Sequence, residues 1–556
     1  MKKYLLAAAV SSAVAATALA PSMAMAAADS ELVVVPRQVT AWVQNFNPFN
    51  QTTKLPTTLE FVYEPLVIFN AMQGGKPYYR LAESHAFSDD LKTLTFNLRK
   101  GVKWSDGEAF DAHDVAYSME IAKQHKALDI RAVWGLIESY EVVDNHQIKF
   151  NLTKPNAAAA FKIVKAPIVP EHIWKNVSDP ITFKNENPVG TGPMTQVKRF
   201  TEQVYVQCRN PNYWDNDNLA VDCLKLPQLG NNDQVLAAAQ KGELDWFGSF
   251  LPDIEKTYVS KDSDNHKYWF PGGSMVAFNF NLESKNAGNK QAFNNLGFRR
   301  AMSMAMDRDA MVNVAGYGYP TINDYASALG RGYHDWNNEK AQAEFGKYSK
   351  LNIDAARALL SENGFKDLNG DGKLQNADGS AIKFDIIVPN GWTDWVNTVQ
   401  IAVEGLQEVG INAKVSTPEA SAWTQALLDG TYDAGINSNF VGVTPHRQYE
   451  SALHSRHKNL TRFSATRFST PKLDVALDSF YATNDKSEQK QIMNEIQYII
   501  AANTPYIPVF NNPKWYQYNT ARFTGFFSAD NAGGNPVIHP DNPERLLNLL
   551  SIKPKK

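Results

Sequence analysis

The first 26 residues decide where this chain must fold. Lys2 and Lys3 precede an apolar run from Tyr4 to about Ala20, Pro21 follows, and Ala24-Met25-Ala26 satisfies the small-x-small rule of signal peptidase. A cut before Ala27 is predicted, with a cut before Asp29 as the alternative, so residues 1–26 are read as a signal peptide outside the fold. No later stretch reaches the roughly 18 consecutive apolar residues of a membrane span. No cysteine stands near the cleavage site to carry a lipid. A secreted, unanchored chain of this size is expected in the periplasm of a two-membrane bacterium.

That address assigns the cysteines. There are two, Cys208 and Cys223, and in an oxidising compartment they are predicted to form a disulfide. Closing a loop of this size contributes roughly 3 kcal/mol in the chain-entropy model. The bridge is structural and says nothing about a ligand. Lys plus Arg (55) nearly balance Asp plus Glu (58), and losing Lys2 and Lys3 takes the net charge from −3 to −5. Such a chain has no general electrostatic reason to bind nucleic acid or an anionic membrane. With 44% hydrophobic and 20% charged residues, wholesale disorder, collagen and long coiled coil are excluded.

Apolar patterning gives an α/β chain. Residues 31–35 (ELVVV), 93–99, 147–152, 204–209 and 275–281 read as strands, and 114–123 as a helix. Beyond Asn281, helices at 298–307, 354–360 and 398–409 alternate with short strands at 384–388, 412–415 and 432–436, the βα pattern of an α/β lobe. The end returns to strand at 507–510 and 515–518. Gly190-Thr191-Gly192-Pro193 reads as a turn crossing between lobes.

Catalytic and cofactor signatures are mostly absent. The chain has no G-x-S-x-G, H-E-x-x-H, P-loop or paired C-x-x-C, so neither an enzyme nor a cofactor is expected. Asp367-Leu368-Asn369-Gly370-Asp371-Gly372 resembles the start of a calcium loop, but position 12 would be Asp378 where a bidentate Glu is expected, and an Asx/Gly turn explains the same residues. His454 and His457, with His446 nearby, lie three apart without an intervening carboxylate. They are read as solvated histidines, and no metal site is assigned.

Trp104-Ser105-Asp106-Gly107-Glu108 followed by Ala112-His113-Asp114-Val115 resembles the signature of family 5 extracytoplasmic solute-binding proteins. Gly190–Pro193, Asn210-Pro211-Asn212-Tyr213-Trp214, Arg300-Ala301, Ala305-Met306-Asp307-Arg308, Ala358-Leu359-Leu360 and Gly364-Phe365 fit it in the same order. The resemblance implies two α/β lobes around a deep cleft, with an extra domain inserted in the first. It places lobe I at 29–64, 187–285 and 505–556, the inserted domain at 65–186 and lobe II at 286–504. It also implies a monomer that hands its ligand to an inner-membrane ABC permease. In that arrangement the signature lies away from the cleft, and its physical content is a turn plus a helix cap, with Asp111 the candidate N-cap.

Peptide-binding members of the family carry an Asp in lobe II for the α-ammonium. The corresponding stretch, Tyr432 to Gly442, has no Asp or Glu from Ala434 to Tyr449, and offers Ser438, Asn439 and Phe440 instead. A neutral ligand follows, because an ammonium buried without a partner is costly. Asn390-Gly391-Trp392-Thr393-Asp394-Trp395, the cysteine pair and the C-terminal Tyr516–Asn519 and Arg522–Gly525 closely resemble chitooligosaccharide-binding proteins of marine bacteria. That likeness implies that Trp392 stacks on a sugar ring and that Asp394 binds hydroxyl or N-acetyl groups, a helix N-cap being the plain alternative for Asp394. Phe440, Arg462 and Phe463 would line the same lobe. A membrane sensor kinase is a second implied partner in chitin users. The subgroup's second tryptophan falls on Lys514, with Trp515 one residue later, and its lobe II Asn falls on Ser438. A β-1,4-glucan oligomer such as cellobiose, or a peptide or nickel ligand, is the alternative.

Overall fold

The computed structural model describes residues 30–439, 442, 444–483, 485–540 and 542–555. The expected signal peptide and Phe440 lie outside the described residues. The first half is built on a seven-stranded sheet, in the order His266–Tyr268, Gln517–Asn519, Trp246–Phe247, Glu31–Val35, Cys223–Pro227, Val204–Arg209 and Met194–Phe200. Glu31–Val35 runs parallel to both of its neighbours. Its unbroken apolar run is the mark of a strand buried on both faces. Leu32 and Val34 enter one core with Tyr205 and Trp246, while Val33 and Val35 enter another with Val235 and Phe247. Cys208 and Cys223 are directly opposite on adjacent antiparallel strands and form the disulfide.

A four-stranded antiparallel sheet (Ala82–Phe87, Thr93–Leu98, Gln147–Leu152, Ile137–Asp144) carries the helix Ala112–Gln124 and shares its core with the first sheet. The second half is built on a six-stranded sheet, in the order Thr321–Ile322, Ile507–Pro513, Gly273–Phe280, Ala434–Ser438, Lys383–Ile387 and Asn412–Ser416. Its last three strands are parallel and are joined through the helices Thr393–Glu408 and Ala420–Asp429. No helix among the described residues is long and apolar enough to cross a membrane.

Three expectations need correction. Gly273–Phe280 and Ile507–Pro513 pair with the second sheet, not the first, so the expected limit at 285 falls after the first crossing and that at 505 before the second. The chain passes between the large sheets at 268–273 and 513–517. Gly190–Pro193 instead leads from the four-stranded unit into the strand Met194–Phe200, and its glycines serve close approach. A Cβ at Gly190 would meet the Val62 carbonyl oxygen at 2.2 Å, and one at Gly192 the Phe61 carbonyl oxygen at 2.5 Å. His446, His454 and His457 are buried rather than solvated, because carboxylates and a backbone carbonyl partner them.

The Trp104–Val115 motif is a packing device. Asp111 caps its helix by accepting from the His113 N–H at 2.8 Å. Asp114 Oδ2 accepts from the Trp104 indole at 3.0 Å and the Asp111 N–H at 3.1 Å, and its Oδ1 accepts from the Glu171 N–H at 2.9 Å. Burial raises the Asp114 pKa while these donors oppose the rise. Asp114→Ala leaves the buried Trp104 indole and two part-buried N–H donors without an acceptor, and is expected to cost roughly 3 kcal/mol of folding stability in urea unfolding. Ligand affinity should be unchanged, since the carboxylate lies in the four-stranded unit's own core.

Candidate functional site

Strand Lys383–Ile387 ends in a turn that delivers Trp392 to the start of the helix Thr393–Glu408. Gly391 has φ +76°, and a Cβ on it would meet Asn231 Cβ at 2.6 Å, so only glycine lets this turn seat against the first half. The Asn232 N–H donates to the Gly391 carbonyl at 3.2 Å, and the Asn232 amide donates to Thr393 Oγ1 at 3.1 Å. Its Oδ1 accepts from Gln38 at 3.2 Å and from Ser249 at 3.0 Å. A chain of amides and hydroxyls thus joins the two halves beside Trp392.

Two adjoining chambers lie between the halves, of about 390 and 300 Å³. These sizes suit small-ligand sites. Trp392, Arg462 and Phe463 belong to the walls of both. The Trp392 ring sits 5.2 Å from Trp395 and 5.9 Å from Trp423. Arg462 lies over the Trp423 ring at 5.2 Å and over Phe463 at 4.2 Å, and its guanidinium also contacts the Asn437 side chain. Ser438 and Asn439 end the strand Ala434–Ser438 and face the larger chamber, with Asn512.

Trp515 also lines the larger chamber, edge-on to Phe250 at 5.6 Å and Phe270 at 5.1 Å. Lys514 lines it too. Strict alternation would put only one of these side chains there, but the strand ends at Pro513 and alternation ends with it.

Several buried neutral polar atoms of the walls have no hydrogen-bond partner among the described residues: Trp392 Nε1, Trp423 Nε1, Asn439 Nδ2 and Asn512 Oδ1. Such atoms are uncommon in folded proteins, and each has unused capacity for a hydrogen bond beside the chambers.

The carboxylates of the walls are handled differently. Glu60 is paired with Arg545 and Glu64 with Arg80, each at 2.6 Å. Glu544 accepts backbone N–H groups of Ala71 and Asn535, at 2.9 and 2.5 Å. Asp394 is buried in the helix's first turn rather than at its N-cap, and burial pushes its pKa up to about 7, against hydrogen bonds from the Trp395 N–H and the Asn232 side chain.

The structure therefore brings Trp392, Asp394, Ser438, Asn439, Arg462, Phe463 and Trp515 to one cleft. Sequence reasoning missed Gln38, Asn232, Ser249, Phe250, Trp395 and Trp423. Trp395 and Trp392 are three apart on one helix face, the one signal that was available for this group. The Asp367 loop is an Asx turn, whose carboxylate accepts from Gly370, Asp371 and Gly372 N–H groups at 2.7, 3.2 and 2.8 Å.

Comparison with known proteins places this architecture. A glutathione-binding protein, GsiB, of Salmonella paratyphi A is 25% identical over 469 residues, covering 82% of this chain and 84% of the relative. The periplasmic oligopeptide-binding protein OppA of Haemophilus influenzae is 23% identical over 83% of this chain and 86% of the relative. Among solved structures, a mannohexaose-bound periplasmic oligopeptide-binding protein of a Thermotoga maritima oligopeptide ABC transporter superposes with a TM-score of 0.86 at 26% identity, over 95% of this chain and 99% of that one. The nonapeptide complex of AppA from Bacillus subtilis superposes with a TM-score of 0.78 at 18% identity, over 95% and 99%, and shares the two-lobed fold. The family described as bacterial extracellular solute-binding proteins, family 5 Middle, matches residues 76–459. The chain belongs to the family 5 bacterial extracellular solute-binding proteins, which capture solutes for ABC importers.

Proposed function

We propose that this protein captures a neutral oligosaccharide between its halves, with a chitooligosaccharide as the first candidate, and delivers it to an ABC permease from the periplasm. The observation that carries this is the union of Trp392, Trp423 and Phe463 with buried neutral donors and acceptors that have no partner among the described residues. Aromatic faces pack on the apolar C–H face of a pyranose, and amide and indole groups hydrogen-bond its hydroxyls. Asn439, Asn512 and the Trp392 indole are uncharged, which suits hydroxyls better than ionised groups. The mannohexaose complex of the Thermotoga maritima protein supports an oligosaccharide for this architecture. Closure follows from contacts made only when the halves meet, such as Asn232 with the Gly391–Asp394 turn.

A peptide is the second reading. It is favoured by the relatives' names and by Arg37, Lys54, Arg131 and Arg447 around the smaller chamber, which would suit a carboxylate. Titration with chitobiose, cellobiose, mannohexaose and glutathione, followed by tryptophan fluorescence, separates the two. Saturable binding of a sugar is expected. Binding of glutathione with no response to any sugar overturns the oligosaccharide assignment.

Trp392→Ala should weaken sugar binding about tenfold or more, since it removes the shared wall of both chambers. Sugar affinity equal to wild type would remove Trp392 from the site.

Asp394 gives a pH signature. Its folded pKa, raised to about 7 from an ordinary 3.8, means that the folded protein holds this proton more tightly than the unfolded chain. Its stability contribution is full below the unfolded value, falls by roughly 1.4 kcal/mol per pH unit as pH rises towards 7, and is level above that. Urea unfolding of wild type and Asp394→Asn across pH 4–8 should show this slope in wild type alone.

A further inference from the structure

We propose that Lys162 is a built-in counter-ion for Glu450, the buried carboxylate among the described wall residues of the smaller chamber, and that it excludes ammonium-bearing ligands and makes the site select the uncharged form of a sugar. The proposal rests on the two chambers being the ligand site, and it deepens the oligosaccharide assignment.

Glu450 and Lys162 both line the smaller chamber, yet come from different parts of the fold. Glu450 belongs to the helix His446–Leu453 beside the second sheet, and Lys162 to the helix Ala159–Ile163 that follows the four-stranded sheet. The Glu450 side chain is 2% exposed and that of Lys162 is 13% exposed. Glu450 Oε1 takes the Lys162 ammonium, and has His457 Nε2 at 2.6 Å and Arg456 Nε at 3.3 Å. Lys162, Arg456 and the hydrogen-bonded His457 hold the Glu450 carboxyl well below its usual range despite its burial, while burial lowers the His457 pKa and favours its neutral ring.

The contact is set in register by its neighbours. Lys154 pairs with Asp478 at 2.5 Å, and the Ala157 N–H donates to the Tyr481 carbonyl at 3.0 Å. When this face is docked, Lys162 falls on Glu450 and nowhere else.

Without Lys162, Glu450 would be the buried seat for a ligand amine in this chamber, whose other wall carboxylate, Glu419, is exposed to solvent. With it, an incoming ammonium must displace Lys162 and leave that charge buried beside Arg447 and Arg456, both of which repel it. An uncompensated buried charge is strongly unfavourable, whereas an uncharged ligand leaves the pair intact. Lys162 is thus a specificity residue that acts through Glu450. The buried pair itself contributes little net stability, because desolvation offsets its attraction, so it discriminates without trapping the closed form.

The test uses ligand pairs that differ in one amine: chitobiose against the β-1,4 glucosamine dimer, and triglycine against N-acetyl-triglycine, at pH 6 by calorimetry. Wild type is expected to favour the acetylated member of whichever pair it binds. Lys162→Met should shift the amine-to-acetylated affinity ratio at least tenfold towards the amine members, Lys162→Arg should keep the wild-type preference, and adding Glu450→Gln to Lys162→Met should abolish the shift. A ratio that is the same in wild type and Lys162→Met, or amine binding that is nil in both, overturns the proposal. Binding confined to the peptide pair removes the oligosaccharide assignment, while the Lys162→Met shift within that pair still decides the role of Lys162.

Discussion

The site depends on a seat. The turn that carries Trp392 can reach the first half only because Gly391 presents no side chain to Asn231, and because Asn232 supplies two donors at the point of contact. One donor is a backbone N–H at a helix start, which has no intrahelical acceptor and is satisfied here by the Gly391 carbonyl. The helix thus completes its own hydrogen bonding by docking on the opposite half. Trp392 and the edge-on Trp395 behind it, with Trp423 of the helix Ala420–Asp429 packed on both, take their place relative to Gln38, Ser249 and Phe250 from this contact. Neutral hydrogen bonds of this kind, each worth about 1 kcal/mol net, can be broken again when the halves separate.

The fold was legible where one interaction decided local structure. The ELVVV run, the alternation in 93–98 and 147–152, and the βα rhythm from 383 to 438 all became the elements that they suggest, because burial on two faces, on one face, or between helix layers leaves a distinct pattern. Asp111 was legible as a cap for the same reason. What the pattern could not show was sheet membership. Gly273–Phe280 has a second-sheet core on both faces, with Val276, Phe278 and Phe280 on one side and Met275 and Ala277 on the other, yet nothing local says which sheet it joins. That choice is made by pairing with residues more than 150 positions away, such as Ala434–Ser438.

The site was half legible. Trp392 and Asp394 stood out because a Gly-Trp-Thr-Asp turn combines a flat ring with a carboxylate in few residues. Asn232, Gln38 and Ser249 did not, because an amide or hydroxyl becomes a site residue only through what faces it. His457 shows the same limit from the other side. Its sequence neighbours carry no carboxylate, so solvent was the natural reading, but Glu450 lies one helix turn beyond that window and claims it at 2.6 Å.

Asp394 in the wall of the larger chamber and Glu450 in that of the smaller show two ways in which a buried carboxyl is kept from presenting an unmatched charge. Asp394 has only neutral donors around it, so burial pushes it towards the protonated form, in which it can itself donate to a hydroxyl or carbonyl. Glu450 has the cations Lys162 and Arg456 and a hydrogen bond with His457, so it stays ionised and its charge is already matched. In one case the charge is removed and in the other it is cancelled. The first leaves a hydrogen-bonding group available to an uncharged ligand, and the second leaves little unmatched negative charge to attract an ammonium. Walls built in this way fit the uncharged ligand proposed above, although their carboxyl groups, counted from the sequence alone, would suggest an amine.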